Sequence, residues 1–170
     1  MKNIYLVGMM GSGKTSTAKE LSALMGVPMI DLDAELEKQE GKRIAEIFQE
    51  KGEEWFRERE SAILLGQSKQ ENFIVATGGG VVIRRQNRDL MKTTGEVVFL
   101  EASLEQLWAR VSKEKGRPLL EDFDPKRKLM SLLTARQPCY DDCAELKVMT
   151  DGKTPKQVAE EISKKLHAND

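Results

Sequence analysis

Three observations predict an α/β protein whose parallel sheet lies between two helical layers. Apolar runs at residues 3–8, 29–33, 73–83, 96–101 and 145–149 alternate with longer stretches of helical periodicity. A glycine loop joins the first run to the first helix, which is strand–loop–helix order. The chain is 170 residues, enough to bury a core without metal or disulfide staples. No internal repeat, low-complexity tract or interdomain linker stands out, so residues 1–170 read as a single domain.

Composition narrows the class. Hydrophobic residues make up 39% and charged residues 32%, with 27 basic against 28 acidic side chains. The excess of positive charge that marks a broad nucleic-acid footprint is missing. No apolar run approaches the length of a membrane span, and none reads as a signal peptide before the first strand, so a cytoplasmic location is expected. Cys139 and Cys143 lack CxxC spacing and a histidine cluster, which argues against zinc and for two reduced thiols. His167, the sole histidine, lies near the C-terminus and reads as solvated.

Each element has a local justification. Residues 14–25 carry Ala18, Leu21 and Met25 on one helical face; Gly26 ends the helix and Pro28 prevents its return. MIDLD, residues 29–33, reads as a short strand ending in two acids. On such a strand Asp31 and Asp33 would point to opposite faces of the sheet. Residues 34–70 read as mostly helical, divided by Gly41 and Gly52. FIVATGGGVVI, residues 73–83, reads as a strand entering a triple glycine, and EVVFLE, residues 96–101, as the fourth strand. Ser103 reads as an N-cap with Gln106 completing a capping box, ahead of Leu104, Leu107, Trp108 and Val111. Residues 113–124, charged and containing glycine and proline, read as a mobile loop. Asp124 and Pro125 open a helix expected to end near Gln137, before Pro138; ELKVM, residues 145–149, is the fifth strand. Thr154, Pro155 and Gln157 open the last helix, with Val158, Ile162 and Leu166 on one face.

The chemistry begins at residues 4–17, IYLVGMMGSGKTST. Gly8, Gly13, Lys14 and Thr15 fit G-x-x-x-x-G-K-[ST], the phosphate-binding loop. Its glycines let backbone N–H groups turn toward phosphate oxygens, and the helix after it offers its positive end to the same anion. Lys14 would reach the β- and γ-phosphates, and Thr15 would ligate Mg²⁺. In a parallel sheet, ligands gather at the carboxyl ends of the strands. The glycine loop, the acids Asp31 and Asp33 and the triple glycine Gly78, Gly79 and Gly80 all fall at such ends and should meet in one cleft. One acid could approach Mg²⁺ and the other accept a hydrogen bond from a substrate hydroxyl, or both could be helix caps. The glycines could leave room for a small ligand, or form a plain turn. Arg57 and Arg136 could be solvated helix arginines or anion ligands. Arg117, in the loop, could close over a γ-phosphate.

Taken together, GMMGSGKTS (8–16), DLD (31–33), FRERE (56–60), GGG (78–80), GRPLL (116–120) and ARQPCY (135–140) resemble the shikimate kinases in order and spacing, from Lys2 to about Leu166. The resemblance implies a fold like that of the nucleoside monophosphate kinases, with five parallel strands in order 2-3-1-4-5. It implies transfer of the γ-phosphoryl of ATP to the 3-hydroxyl of shikimate, on the way to chorismate. Gly11, Ser12, Gly13, Lys14, Thr15 and Ser16 then bind ATP, with Arg110 and Pro155 near the adenine. Thr15 becomes the Mg²⁺ ligand, with Asp31 acting through water. Asp33, Arg57, Gly79, Gly80 and Arg136 match the shikimate pocket, and Asp33 could also take the proton. Arg117 matches the lid arginine. Residues 34–61 match the substrate-binding region and 113–124 the lid. Thr15 replaces the serine frequent in the family, and Lys153 occupies a region where some members present an arginine to the adenine. The partners implied are ATP and shikimate, with Mg²⁺, and neither nucleic acid nor membrane; size and balanced charge suggest a monomer. A kinase of gluconate or of a nucleoside monophosphate, and a catalytically silent nucleotide-binding module, are the alternative readings.

Overall fold

The computed structural model describes residues 1–114 and 117–168. Strand β1 (Asn3–Val7) leads into helix α1 (Lys14–Met25), then β2 (Met29–Asp31), α2 (Leu32–Glu40), α3 (Ile44–Lys51) and α4 (Glu53–Ser68). Strand β3 (Ile74–Ala76), a 3₁₀ turn (Val81–Ile83), α5 (Arg85–Thr94), β4 (Gly95–Glu101) and α6 (Leu104–Val111) follow. A second 3₁₀ turn (Pro118–Leu120), α7 (Pro125–Cys143), β5 (Leu146–Met149) and α8 (Pro155–Ala168) complete the chain. The five strands form one parallel sheet in the order β2-β3-β1-β4-β5.

Alternation along β1 builds the three layers. Ile4 and Leu6 face one side and join Ala18 and Leu21 of α1 and Val158 and Ile162 of α8. Tyr5 and Val7 face the other side and join Leu36, Phe56, Leu64, Leu129 and Tyr140 of α2, α4 and α7. Because both faces are covered, every residue of β1 is buried, as a central parallel strand requires. Its carboxyl end, where the glycine loop departs, is thereby fixed in the middle of the molecule.

Four local expectations are corrected. The strand read over 29–33 stops at Asp31, whose carboxylate caps α2 by accepting the N–H groups of Asp33 (3.0 Å) and Ala34 (3.1 Å). Asp33 therefore lies in the first turn of a helix, and the strand argument for opposite faces does not apply. The strand read over 73–83 stops at Ala76, and Val81–Ile83 form a 3₁₀ turn. Helix α7 continues through Pro138 to Cys143. Proline removes one donor from a helix, and here burial of Tyr140 and Cys143 beyond it carries the helix on. At α6 the Ser103 hydroxyl accepts the Gln106 N–H at 3.3 Å, but the reciprocal capping box belongs to α8, where Thr154 and Gln157 exchange bonds of 2.9 and 3.2 Å. The segment 113–124, read as a mobile loop, contains the turn Pro118–Leu120 with Leu120 buried; Lys115 and Gly116 of this segment lie outside the described residues. Gly41 and Gly52 do divide residues 34–70, at φ 65° and 83°, the left-handed region that glycine enters freely. Among the described residues, no helix is long and apolar enough to cross a membrane.

Candidate functional site

Two cavities open at the carboxyl end of the sheet. One, of about 350 Å³, is walled by Gly13, Lys14, Thr15, Ser16, Asp31 and Arg110. The other, of about 430 Å³, is walled by Phe48, Phe56, Arg57, Glu60, Gly80 and Arg136. Met10, Asp33, Gly79, Glu114 and Arg117 belong to both walls, so the cavities meet there.

The first cavity is the glycine loop. At Gly8 a Cβ would lie 2.8 Å from the Leu100 carbonyl oxygen, so only glycine lets the loop leave β1 beside β4. Gly13 precedes α1 at φ 87° with no side-chain cap, leaving the helix's first N–H groups to a ligand. Lys14 Nζ donates to the carbonyls of Gly8 (2.7 Å) and Met9 (2.8 Å). Burial lowers its pKa from 10.5 to about 8, with Asp33 and Asp31 opposing the shift and Arg117 and Arg136 reinforcing it. Thr15 Oγ1 donates to Asp31 Oδ2 at 2.5 Å, which sets a hydroxyl and a carboxylate side by side at the cavity edge. Ser12 is buried, and among the described residues its hydroxyl has no partner. Arg110 Nη1 donates to the Gly11 carbonyl at 2.7 Å. Pro155, at the first turn of α8, lines neither cavity.

The second cavity is cationic at its base and apolar on one flank. Arg57 is 6% and Arg136 3% exposed, so both guanidinium groups are held in place before any ligand arrives. Arg57 Nη1 donates to Glu60 Oε1 at 2.9 Å, and its Cζ lies 5.2 Å from the Phe56 ring centroid. Phe48 and Phe56 meet at 4.7 Å. Gly80 packs against Arg57, where a Cβ would come within 2.5 Å of Cζ, and Gly79 against Arg136 Nη1, at 3.4 Å. Asp33 stands between the cavities. Burial, then the charges of Glu60 and Asp31, raises its pKa from 3.8 to about 7, against Lys14 and Arg57. Glu60 is also raised, chiefly by burial and against the pull of Arg57. Arg117 Nε donates to Glu114 at 2.8 Å, and both residues line the junction.

The structure thus brings every candidate site residue to the walls of these two cavities except Ser12, which is buried inside the glycine loop, and Pro155. It adds Glu60, Met10, Glu114 and Tyr140. Glu60 and Tyr140 were visible in outline, since each follows a pocket arginine at helical spacing, three residues after Arg57 and four after Arg136.

A glycine loop feeding a helix N-terminus, beside a second cavity holding two buried arginines and an acid, defines a P-loop phosphotransferase with a separate acceptor site. The shikimate kinase (SKI) family profile matches residues 10–167. A shikimate kinase of Thioalkalivibrio sulfidiphilus is 41% identical over 167 residues, covering 98% of this chain and 88% of that one. Another, of Burkholderia lata, is 41% identical over 148 residues, covering 87% and 80%. The structure of shikimate kinase from Acinetobacter baumannii in complex with shikimate superposes with a TM-score of 0.97 at 36% identity, covering 99% of this chain and 94% of that one. The chain belongs to the shikimate kinase family.

Proposed function

We propose that this protein transfers the γ-phosphoryl group of ATP to the 3-hydroxyl of shikimate, releasing ADP and shikimate 3-phosphate for chorismate and aromatic amino-acid synthesis. The observation that carries this reading is the placing of Arg57, Arg136 and Asp33 in one cavity whose wall is shared with the glycine-loop cavity. Two planar guanidinium forks suit a ligand carboxylate, and the carboxylate of Asp33 suits its hydroxyls.

In this reading the residues Gly11 to Ser16 hold the phosphates and Arg110 lies beside the nucleotide. Lys14 leaves the loop carbonyls for the β- and γ-phosphates. Arg117 exchanges Glu114 for the transferring group, supplying positive charge where negative charge develops. Asp33 orients the acceptor hydroxyl and accepts its proton; a group with a pKa near 7 can do so at neutral pH. The pair Thr15 and Asp31 fits Mg²⁺, which takes hard oxygen ligands, one or two from protein and the rest from phosphates and water. When bound, Mg²⁺ neutralises phosphate charge. Among the described residues no cluster of three or more metal-ligating side chains competes for this role. Pro155 is assigned to the nucleotide's outer edge. The protein acts as a cytoplasmic monomer of one domain, residues 1–170, on small molecules rather than nucleic acid or membrane.

The test is ADP release from Mg-ATP with shikimate, gluconate, AMP, CMP or no acceptor. Release that is fast with shikimate alone supports the reading. Fast release with another acceptor keeps the phosphate loop and overturns the acceptor assignment. Intact ATP binding without release in any case points to a silent nucleotide-binding module.

A further inference from the structure

The second cavity rests on a side chain that does not line it. Tyr140 is fully buried in α7, and its ring stacks on Phe99 of β4 with centroids 4.8 Å apart and planes 12° from parallel. Phenylalanine would serve that packing. A buried hydroxyl adds a desolvation cost unless it is hydrogen-bonded. Here it donates to the Gly79 carbonyl at 2.6 Å, across 61 residues of sequence.

That bond acts on the central peptide of a turn that the Val81 N–H closes onto the Gly78 carbonyl at 3.2 Å, a closure compatible with two orientations of that peptide. Neither Gly79 nor Gly80 has a side chain, and neither belongs to β3 or to the 3₁₀ turn that follows. The chain contains no cis peptide among its described residues, so the Gly79 carbonyl and the Gly80 N–H point in opposite directions. Drawing the carbonyl toward α7 therefore aims the Gly80 N–H away from Tyr140. Gly80 packs on the Arg57 guanidinium and lines the acceptor cavity. Arg136, one helical turn before Tyr140, meets the same loop at Gly79. One face of α7 thus fixes a guanidinium directly and a backbone donor indirectly.

We propose that Tyr140 is a positioning residue for the acceptor: its hydroxyl sets the Gly79–Gly80 peptide so that the Gly80 N–H joins Arg57 and Arg136 as a donor to the acceptor's carboxylate. The carboxylate as ligand rests on the function proposed above; the peptide orientation does not. Tyr140 lines neither cavity; its hydroxyl holds the Gly79 carbonyl and also lies beside the Arg136 guanidinium, so the Gly80 resonances below, and not the KM alone, isolate the peptide's part.

Tyr140→Phe keeps the ring and removes the bond. Steady-state kinetics should show KM for shikimate raised roughly 10-fold, as for loss of one hydrogen bond to a charged group, with KM for Mg-ATP unchanged. A general loosening would raise both, and that outcome, or an unchanged shikimate KM, overturns the proposal. The second readout needs no substrate. The Gly80 amide ¹⁵N and ¹H resonances should move in Tyr140→Phe while those of Gly152, on the β5–α8 connection, stay fixed. Unmoved Gly80 resonances would overturn the proposal even if activity fell. Moved resonances in a protein that does not turn over shikimate would leave the brace standing and strike the proposed acceptor instead.

Discussion

Asp33 and Glu60 confront each other across Gly78: a Cβ on that glycine would lie 2.8 Å from Asp33 Oδ1 and 2.6 Å from Glu60 Oε2. Glu60 is buried and Asp33 partly so, and the charge of Glu60 raises the cost of ionising Asp33. Only one of Glu60's oxygens is held, by Arg57; among the described residues the other has no partner.

The first consequence is a pH-dependent stability. Asp33 titrates near 7 in the fold and near 3.8 in the unfolded chain, so between those values the native state binds more protons. Stability then falls as pH rises through that window, by up to about 4 kcal/mol from this group alone. Thermal melting of the ligand-free protein from pH 4 to 7 should show the decline. Asp33→Asn should flatten it, and an unaltered slope in that variant would refute the assignment.

Glu60 should also govern the pH–rate profile. With Asp33 accepting the proton, kcat/KM for shikimate should rise through about pH 7 in the wild type. Glu60→Gln removes a neighbouring negative charge and should carry that rise to lower pH. It should also destabilise the protein by about 3 kcal/mol, because Arg57 loses its buried partner. A profile that stays in place would separate Glu60 from Asp33.

Lys14→Met should lower kcat about 100-fold or more while the fold persists, since its charge is needed where the transferring group gathers negative charge. The bonds it makes to the Gly8 and Met9 carbonyls are lost without leaving a buried charge. Near wild-type turnover would remove Lys14 from the reaction.

Arg136→Lys keeps the charge but loses the planar fork. The shikimate KM should rise roughly 10- to 100-fold, with the ATP KM little changed. Equal losses for both substrates would place Arg136 outside the acceptor site.

Much of this arrangement is legible in the sequence. The alternation of strands and helices gives the parallel sheet, and parallel topology gathers the glycine loop, the acids and the triple glycine at one end. The errors came where tertiary packing outvotes local pattern. MIDLD alternates like a strand, yet Asp31 finds more by capping α2 than by extending the sheet. Pro138 reads as a stop, but the buried side chains beyond it hold α7 together. Glu60 and Tyr140 lie in the quoted motifs FRERE and ARQPCY but received no role: helical spacing offers Glu60 to Arg57, yet a helix viewed alone shows neither the burial of that pair nor the reach of Tyr140 to the Gly79 carbonyl.

The strand order also bears on how the protein is made. Of the five strands of this sheet β1 comes first in the chain, yet its neighbours are β3, near residue 75, and β4, near residue 98. A nascent chain therefore carries a strand destined for full burial with both edges unpaired until β3 emerges, and with one edge unpaired until β4 does. Closing those long loops slows folding and exposes the strand to misassembly. Chains arrested between β3 and β4 should be chaperone clients, and the phosphate loop should become resistant to protease only once β4 has emerged.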